Sequence, residues 1–137
     1  MEEKQYVVFK LGKEEYGIEI VNVQEIIVPT PLTKLPNMSP YFLGVFNLRG
    51  HIIPLIDFKK RFSLEVSEKS EEERVIVVRL DKSVGILVDS IQEVLMIAKD
   101  EIESSVQISA GIDNEFITGI AKKEERLIIL LNLAGAF

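Results

Sequence analysis

His51 is the single histidine of the chain, so no two-histidine metal or relay motif exists; a strand or turn place suits it better than a base's role. There is no cysteine, which removes disulfides, thiolate nucleophiles and thiolate zinc sites. Serines such as Ser63, Ser83, Ser90 and Ser109 lack the Gly-x-Ser-x-Gly setting of a hydrolase, and no glycine-rich phosphate loop occurs. Carboxylates come in runs, Glu71-Glu72-Glu73 and Glu124-Glu125, which read as solvated turns rather than an acid and base pair. The residues thus point to no catalytic group, no metal ligand set and no cofactor. This weighs against an enzyme, although a carboxylate pair assembled only by the fold stays open.

What remains is binding. Sixteen basic against 22 acidic residues leave a net charge of −6, which repels phosphate backbones and anionic lipid and favours a neutral or protein partner. A small-molecule or oligonucleotide-binding β-barrel is the alternative. Base stacking needs aromatic platforms in a basic groove, however, and the chain has no tryptophan and the opposite charge.

The length of 137 residues suits one domain, and residues 1–137 are read as such. MEEKQ lacks the basic start and apolar stretch of an export signal, and the apolar runs are cut at Lys34, Arg49, Asp57 and Lys99, short of a membrane span. A soluble cytoplasmic chain without direct membrane insertion is expected.

Val7, Phe9 and Leu11 alternate with Tyr6, Val8 and Lys10, the period of a half-buried strand. Gly12-Lys13 supplies a turn, and Tyr16 to Ile20 resumes the alternation, so Tyr6 to Ile20 reads as a hairpin with Ile18 and Ile20 inward. The text then recurs. VIVVRL from Val75 matches YVVFKL from Tyr6 at a shift of 69. At a shift of 68, Gly17-Ile18 falls on Gly85-Ile86 and Val23-Gln24-Glu25-Ile26 on Ile91-Gln92-Glu93-Val94. At a shift of 75, Gly44, Ile53, Leu55, Asp57 and Phe62 fall on Gly119, Ile128, Leu130, Asn132 and Phe137. Three collinear blocks with matched glycines indicate internal duplication, with halves 6–62 and 75–137 joined by a polar linker at 63–73. Two related β units follow, each too small for a full core alone.

Helix is confined to short turns. Asp57 is an N-cap for FKKRF, Asn132 for LAGAF, and Lys99 to Glu103 forms another turn. The loop through Gly111, Asp113 and Asn114 reads as irregular. Pro54 deletes a ladder donor, which predicts an edge or a bulge there.

FLGVFNLRGHIIPLIDFKKRF from Phe42 to Phe62 is a second hairpin candidate, turning at Arg49-Gly50. Together with EEYGIEIVNVQEI from Glu14 and FITGIAKKEERLIILLNL from Phe116, in this order and spacing, it resembles the CheW family of bacterial chemotaxis coupling proteins. The resemblance covers about residues 5 to 137. It implies a mainly β fold of two intertwined, five-stranded, SH3-like barrels around a common apolar centre, in accord with the repeat. It also implies a non-enzymatic adaptor that holds the regulatory domain of the histidine kinase CheA against the cytoplasmic tips of methyl-accepting chemotaxis receptors. Location at membrane receptor clusters would follow. On this resemblance Val23, Glu25, Gly44 and Arg49 are partner-binding positions and Ile26 a further anchor. Core burial is the plainer role for Ile26, and a backbone requirement is at least as good for Gly44. Arg49 either orients Glu25 or meets a partner carboxylate. Its hairpin tip reverses charge in the second half, where Glu124-Glu125 stands in place of Arg49-Gly50.

Overall fold

A computed structural model describes residues 3–62, 64, 71–103 and 116–134. In chain order the strands are β1 (Glu3–Leu11), β2 (Glu14–Glu19), β3 (Val23–Ile27), β4 (Phe42–Leu48) and β5 (His51–Asp57). The single-turn helix α1 (Phe58–Arg61) comes next, then β6 (Arg74–Arg79), β7 (Ser83–Val88), β8 (Ser90–Ala98), β9 (Ile102–Glu103), β10 (Ile117–Lys123) and β11 (Arg126–Leu131). They form a sheet of order β8-β1-β2-β11-β10-β9 and another of order β3-β6-β7-β5-β4. The chain is mainly β, with two β subdomains. Among the described residues the sheets have six and five strands, five in each apart from the two-residue β9.

Each sheet borrows a hairpin. β1–β2 lies among strands that follow residue 89, and β6–β7 lies among β3, β4 and β5. The pairings recur at matching places. Parallel β5 and β7 put Leu55 opposite Gly85, and parallel β11 and β2 put Leu130 opposite Gly17. The ladders slip at Gln24 in β3 and at its counterpart Gln92 in β8, and again beside Gly44 and Gly119. A slip that leaves one residue unpaired is a β-bulge, which bends the strand and sharpens its twist. Each subdomain therefore curls at equivalent points.

β1 departs from the half-buried expectation. Tyr6, Val7, Val8 and Phe9 are all buried, as are Val75, Ile76, Val77 and Val78 in β6. The reason is the exchange. Val7, Phe9, Ile76 and Val78 meet in one shared apolar centre, while their alternate neighbours fill private cores. Tyr6 and Val8 pack with Ile97, Ile128 and Leu130; Val75 and Val77 pack with Phe46, Ile53 and Leu55. A strand with apolar neighbours on both faces loses the alternation of a one-faced strand. Leu64, inside the expected polar linker, packs against the shared centre, and residues 63 and 65–70 lie outside the described residues.

In the hairpin β1–β2, Gly12-Lys13 makes the turn and Ile18 is buried; Ile20, in the short 3-10 turn Ile20–Asn22, packs partly on the shared centre. Asp57 caps α1 by accepting from the Lys60 N–H at 3.3 Å. Asn132 accepts from the Ala134 N–H at 3.1 Å, and the remainder of LAGAF lies outside the described residues, as does the loop through Gly111, Asp113 and Asn114. Pro54 sits in neither an edge strand nor a bulge. β5 runs between β4 and β7, and the β7 ladder begins only at Leu55, so the missing donor falls where no ladder has started. Among the described residues no helix is long and apolar enough to cross a membrane.

Lys99–Glu101 forms a 3-10 turn. Glu101 Oε1 accepts from the Ala98 N–H at 2.8 Å and from Lys123 Nζ at 3.1 Å. The backbone donor first, and Lys123 second, hold the Glu101 carboxyl below its ordinary value of 4.5. A depressed folded value means stability that is present above pH 4.5 and lost as pH falls through the folded value. Glu101→Gln keeps an acceptor for Ala98 but cannot titrate. Its thermal midpoint is expected to fall less steeply with acid than that of the parent, and superimposable curves throughout the acid range would refute the linkage.

Candidate partner-binding site

β3 emerges from the turn Ile20–Asn22 and pairs with β6, Val23 lying opposite Val78. The bulge at Gln24 follows, and the Gln24 side chain accepts from Ser83 Oγ at 2.7 Å. Past the bulge Glu25 lies opposite Val77 and Ile26 opposite Ile76. Opposed residues of an antiparallel pair share a face. Glu25 is therefore turned toward the private-core face and Ile26 toward the face of the shared centre.

The β4–β5 hairpin supplies the cation. Leu48 and His51 flank the turn, Arg49 has φ +52° and Gly50 φ +87°, and Asn47 Oδ1 accepts from the Gly50 N–H at 2.9 Å. Positive φ at both central residues is the two-residue turn whose twist matches the strands it joins. For a non-glycine residue that conformation costs about 1–2 kcal/mol. Arg49 Nη1 donates to Glu25 Oε2 at 2.5 Å. The Arg49 side chain is 74% exposed and that of Glu25 only 18%. The other carboxylate oxygen, Glu25 Oε1, is buried and has no hydrogen-bond partner among the described residues. Since β3 and β4 are the two edges of the five-stranded sheet, the pair links a residue of one edge to the hairpin of the other.

Arg49 and Glu25 are thus brought together. Val23 is half-buried against the shared centre, and Ile26 stands 39% exposed beside Glu25. Gly44 is buried at the bulge of β4, with φ +148°, and a Cβ there would come 2.8 Å from the Thr33 carbonyl oxygen. It seats the 33–45 bridge and presents no side chain to a partner. His51 lines a shallow depression with Gln24, Ile52, Pro54, Arg79 and Ser83. Ile52 on its rim is 65% exposed.

The second subdomain holds a counterpart that sequence reasoning missed. Arg126 donates Nη1 to Glu93 at 2.7 Å, and Nη2 and Nε to Glu15 at 2.7 and 3.2 Å. Glu15 first and Glu93 second hold the Arg126 guanidinium still further above its already high value, so it stays charged. Glu93 is the repeat partner of Glu25, but Arg126 aligns on His51, two places beyond Arg49. The alignment therefore showed a charge reversal where the structure has an arginine reaching from two places along. Outward apolar side chains also recur at equivalent places: Ile26 and Val94, Val28 and Met96, Ile52 and Leu127. The aromatic side chains Phe9, Tyr16, Phe58, Phe62 and Phe116 are buried in the shared centre. Burial pushes the Tyr16 phenol up to about 12, with Glu14 adding to it, so it stays neutral. Among the described residues no group of three or more His, Asp or Glu side chains is arranged to hold a metal ion.

Residues 5–137 match the model of the CheW-like domain. The chain is 36% identical to the chemotaxis protein CheW of Treponema pallidum, over 99% of this chain and 83% of that protein. It is 35% identical to that of Helicobacter pylori, over 94% and 78%. Among solved structures, the scaffolding protein CheW of Thermoanaerobacter tengcongensis superposes with a TM-score of 0.91 at 38% identity, covering 100% of this chain and 89% of that one. With the two-subdomain fold already in view, these likenesses place the chain in the CheW-like family.

Proposed function

We propose that this chain is a non-enzymatic chemotaxis adaptor in the cytoplasm, recruited to receptor clusters, that couples the cytoplasmic tips of methyl-accepting chemotaxis receptors to the regulatory domain of the histidine kinase CheA. The reading treats residues 1–137 as one CheW-like domain with halves 6–62 and 75–137. The observation that supports it most is the recurrence of solvent-facing aliphatic side chains at equivalent places in both subdomains. Two separate surfaces on one stiff body bring two partners together at high effective concentration and in fixed geometry. A receptor tip is a helical hairpin, and spaced aliphatic anchors with polar groups at the rim suit a helix.

Arg49→Ala tests the assignment. Because Arg49 is largely exposed, the loss of its pair costs about 0–1 kcal/mol of stability. The expected result is an unchanged fold with weakened receptor-dependent activation of CheA in a reconstituted assay. Unfolding of the variant, or activation equal to the parent's, would remove Arg49 from the coupling surface. Failure of the parent to retain either a CheA or a receptor fragment in a pull-down would sink the adaptor reading itself.

A further inference from the structure

The two arginine–carboxylate ties differ in a way that bears on how a partner is gripped. Arg126 spends three N–H donors on two carboxylates, and its side chain is 29% exposed. Arg49 spends one donor on one carboxylate oxygen and is 74% exposed. A guanidinium has five donors, so most of those of Arg49 are not engaged among the described residues. The carboxylate it covers is half-satisfied among the described residues, where Glu25 Oε1 is buried with no donor. A buried acceptor left unpaired is unfavourable, and a charged one more so. The second tie engages three donors and two carboxylates, whereas the first engages one donor and one carboxylate oxygen.

We propose that docking opens the Glu25–Arg49 pair by exchange: Glu25 accepts from a basic side chain of the partner, while Arg49 turns outward to an acidic one. This rests on the adaptor reading and adds the chemistry of recognition, a protein surface that presents a basic side chain next to an acidic one. The internal pair then acts as a stand-in for the partner, keeping Glu25 covered until the surface is occupied. Arg49, on a two-residue turn at a hairpin tip, can swing without moving a strand.

The test is a charge exchange within the chain, Glu25→Arg combined with Arg49→Glu, with binding to a receptor cytoplasmic fragment measured by calorimetry. The doubly exchanged chain restores an internal pair, so its thermal midpoint is expected to match the parent's, yet it presents inverted charges outward and binds roughly tenfold more weakly or worse. Inverting the matching basic and acidic side chains on the receptor fragment is expected to restore binding. If the exchanged chain binds the unaltered fragment as the parent does, the pair only positions the hairpin and the inference is overturned. Should Glu25→Arg fail to fold, Glu25→Gln with Arg49→Gln carries the same test: it keeps a hydrogen bond without charge, and parental affinity overturns the inference. A parent that binds no receptor fragment overturns the adaptor reading and this inference together, an outcome distinct from equal binding by parent and variant.

Discussion

Phe58→Ala is expected to cost about 3–5 kcal/mol and to lower the melting of both subdomains in a single transition. Phe58 is fully buried at the start of α1, with ring centroids 6.2 Å from Phe9, 6.1 Å from Tyr16 and 4.7 Å from Phe62. Phe62 in turn meets Phe116 at 5.8 Å in an edge contact. Phe9 of β1, Tyr16 of β2 and Phe62 just past α1 thus surround this ring, Phe116 joins through Phe62, and truncation leaves a cavity in the apolar centre that residues of both sheets share. Neither sheet can close it alone. Chemical denaturation followed by far-ultraviolet dichroism and by tyrosine fluorescence checks the point. Two separated transitions, or a loss below about 1 kcal/mol, would show that the centre is not shared as described.

Gly44→Ala is expected to destabilise by about 2–4 kcal/mol, from the strain of positive φ in a residue with a side chain and from a clash that cannot relax cheaply. The clash is with backbone: the added Cβ would lie 2.8 Å from Thr33 O and 3.2 Å from Leu32 Cβ. Thr33 and Val45 exchange two hydrogen bonds, each of 2.9 Å, and these must lengthen or break. Faster hydrogen exchange at the Val45 amide together with a lower thermal midpoint is the predicted signature. Gly17 is a contrast, because a Cβ there first meets the movable end of Leu130 at 3.0 Å. A coupling defect in Gly44→Ala would then report loss of fold. Parental stability together with lost coupling would restore Gly44 to the contact surface.

The repeat was legible because equivalent ladders constrain equivalent residues: Gly17 and Gly85 both face a leucine of a parallel neighbour, and Gln24 and Gln92 both sit at bulges. The β4–β5 turn and the Asp57 cap were legible because their chemistry is local. Other features were hidden. The alternation in β1 predicts one buried face, yet Tyr6 and Val8 are as buried as Val7 and Phe9, because the second face is covered by strands more than 80 residues away in the chain. Period alone cannot report a neighbour supplied by a distant segment. The Arg126 tie was hidden for another reason: alignment compares residues place by place, whereas a long side chain reaches the same carboxylate from two places along. Glu25 and Arg49 came from family resemblance, with the orienting of Glu25 by Arg49 one of two alternatives, and the structure brings the two side chains into contact.

The hairpin exchange also orders events during synthesis. All strands of the five-stranded sheet have left the ribosome once Val88 has, whereas the β1–β2 hairpin waits for β11, whose Ile128 pairs with Glu15 across more than a hundred residues. Until then an early strand that is greasy on both sides has no proper cover. Closing so long a loop is slow, and unpaired apolar strands in the interval invite wrong association. The nascent chain is therefore most vulnerable to aggregation between emergence of β7 and of β11, a hazard set by connectivity and not by final stability.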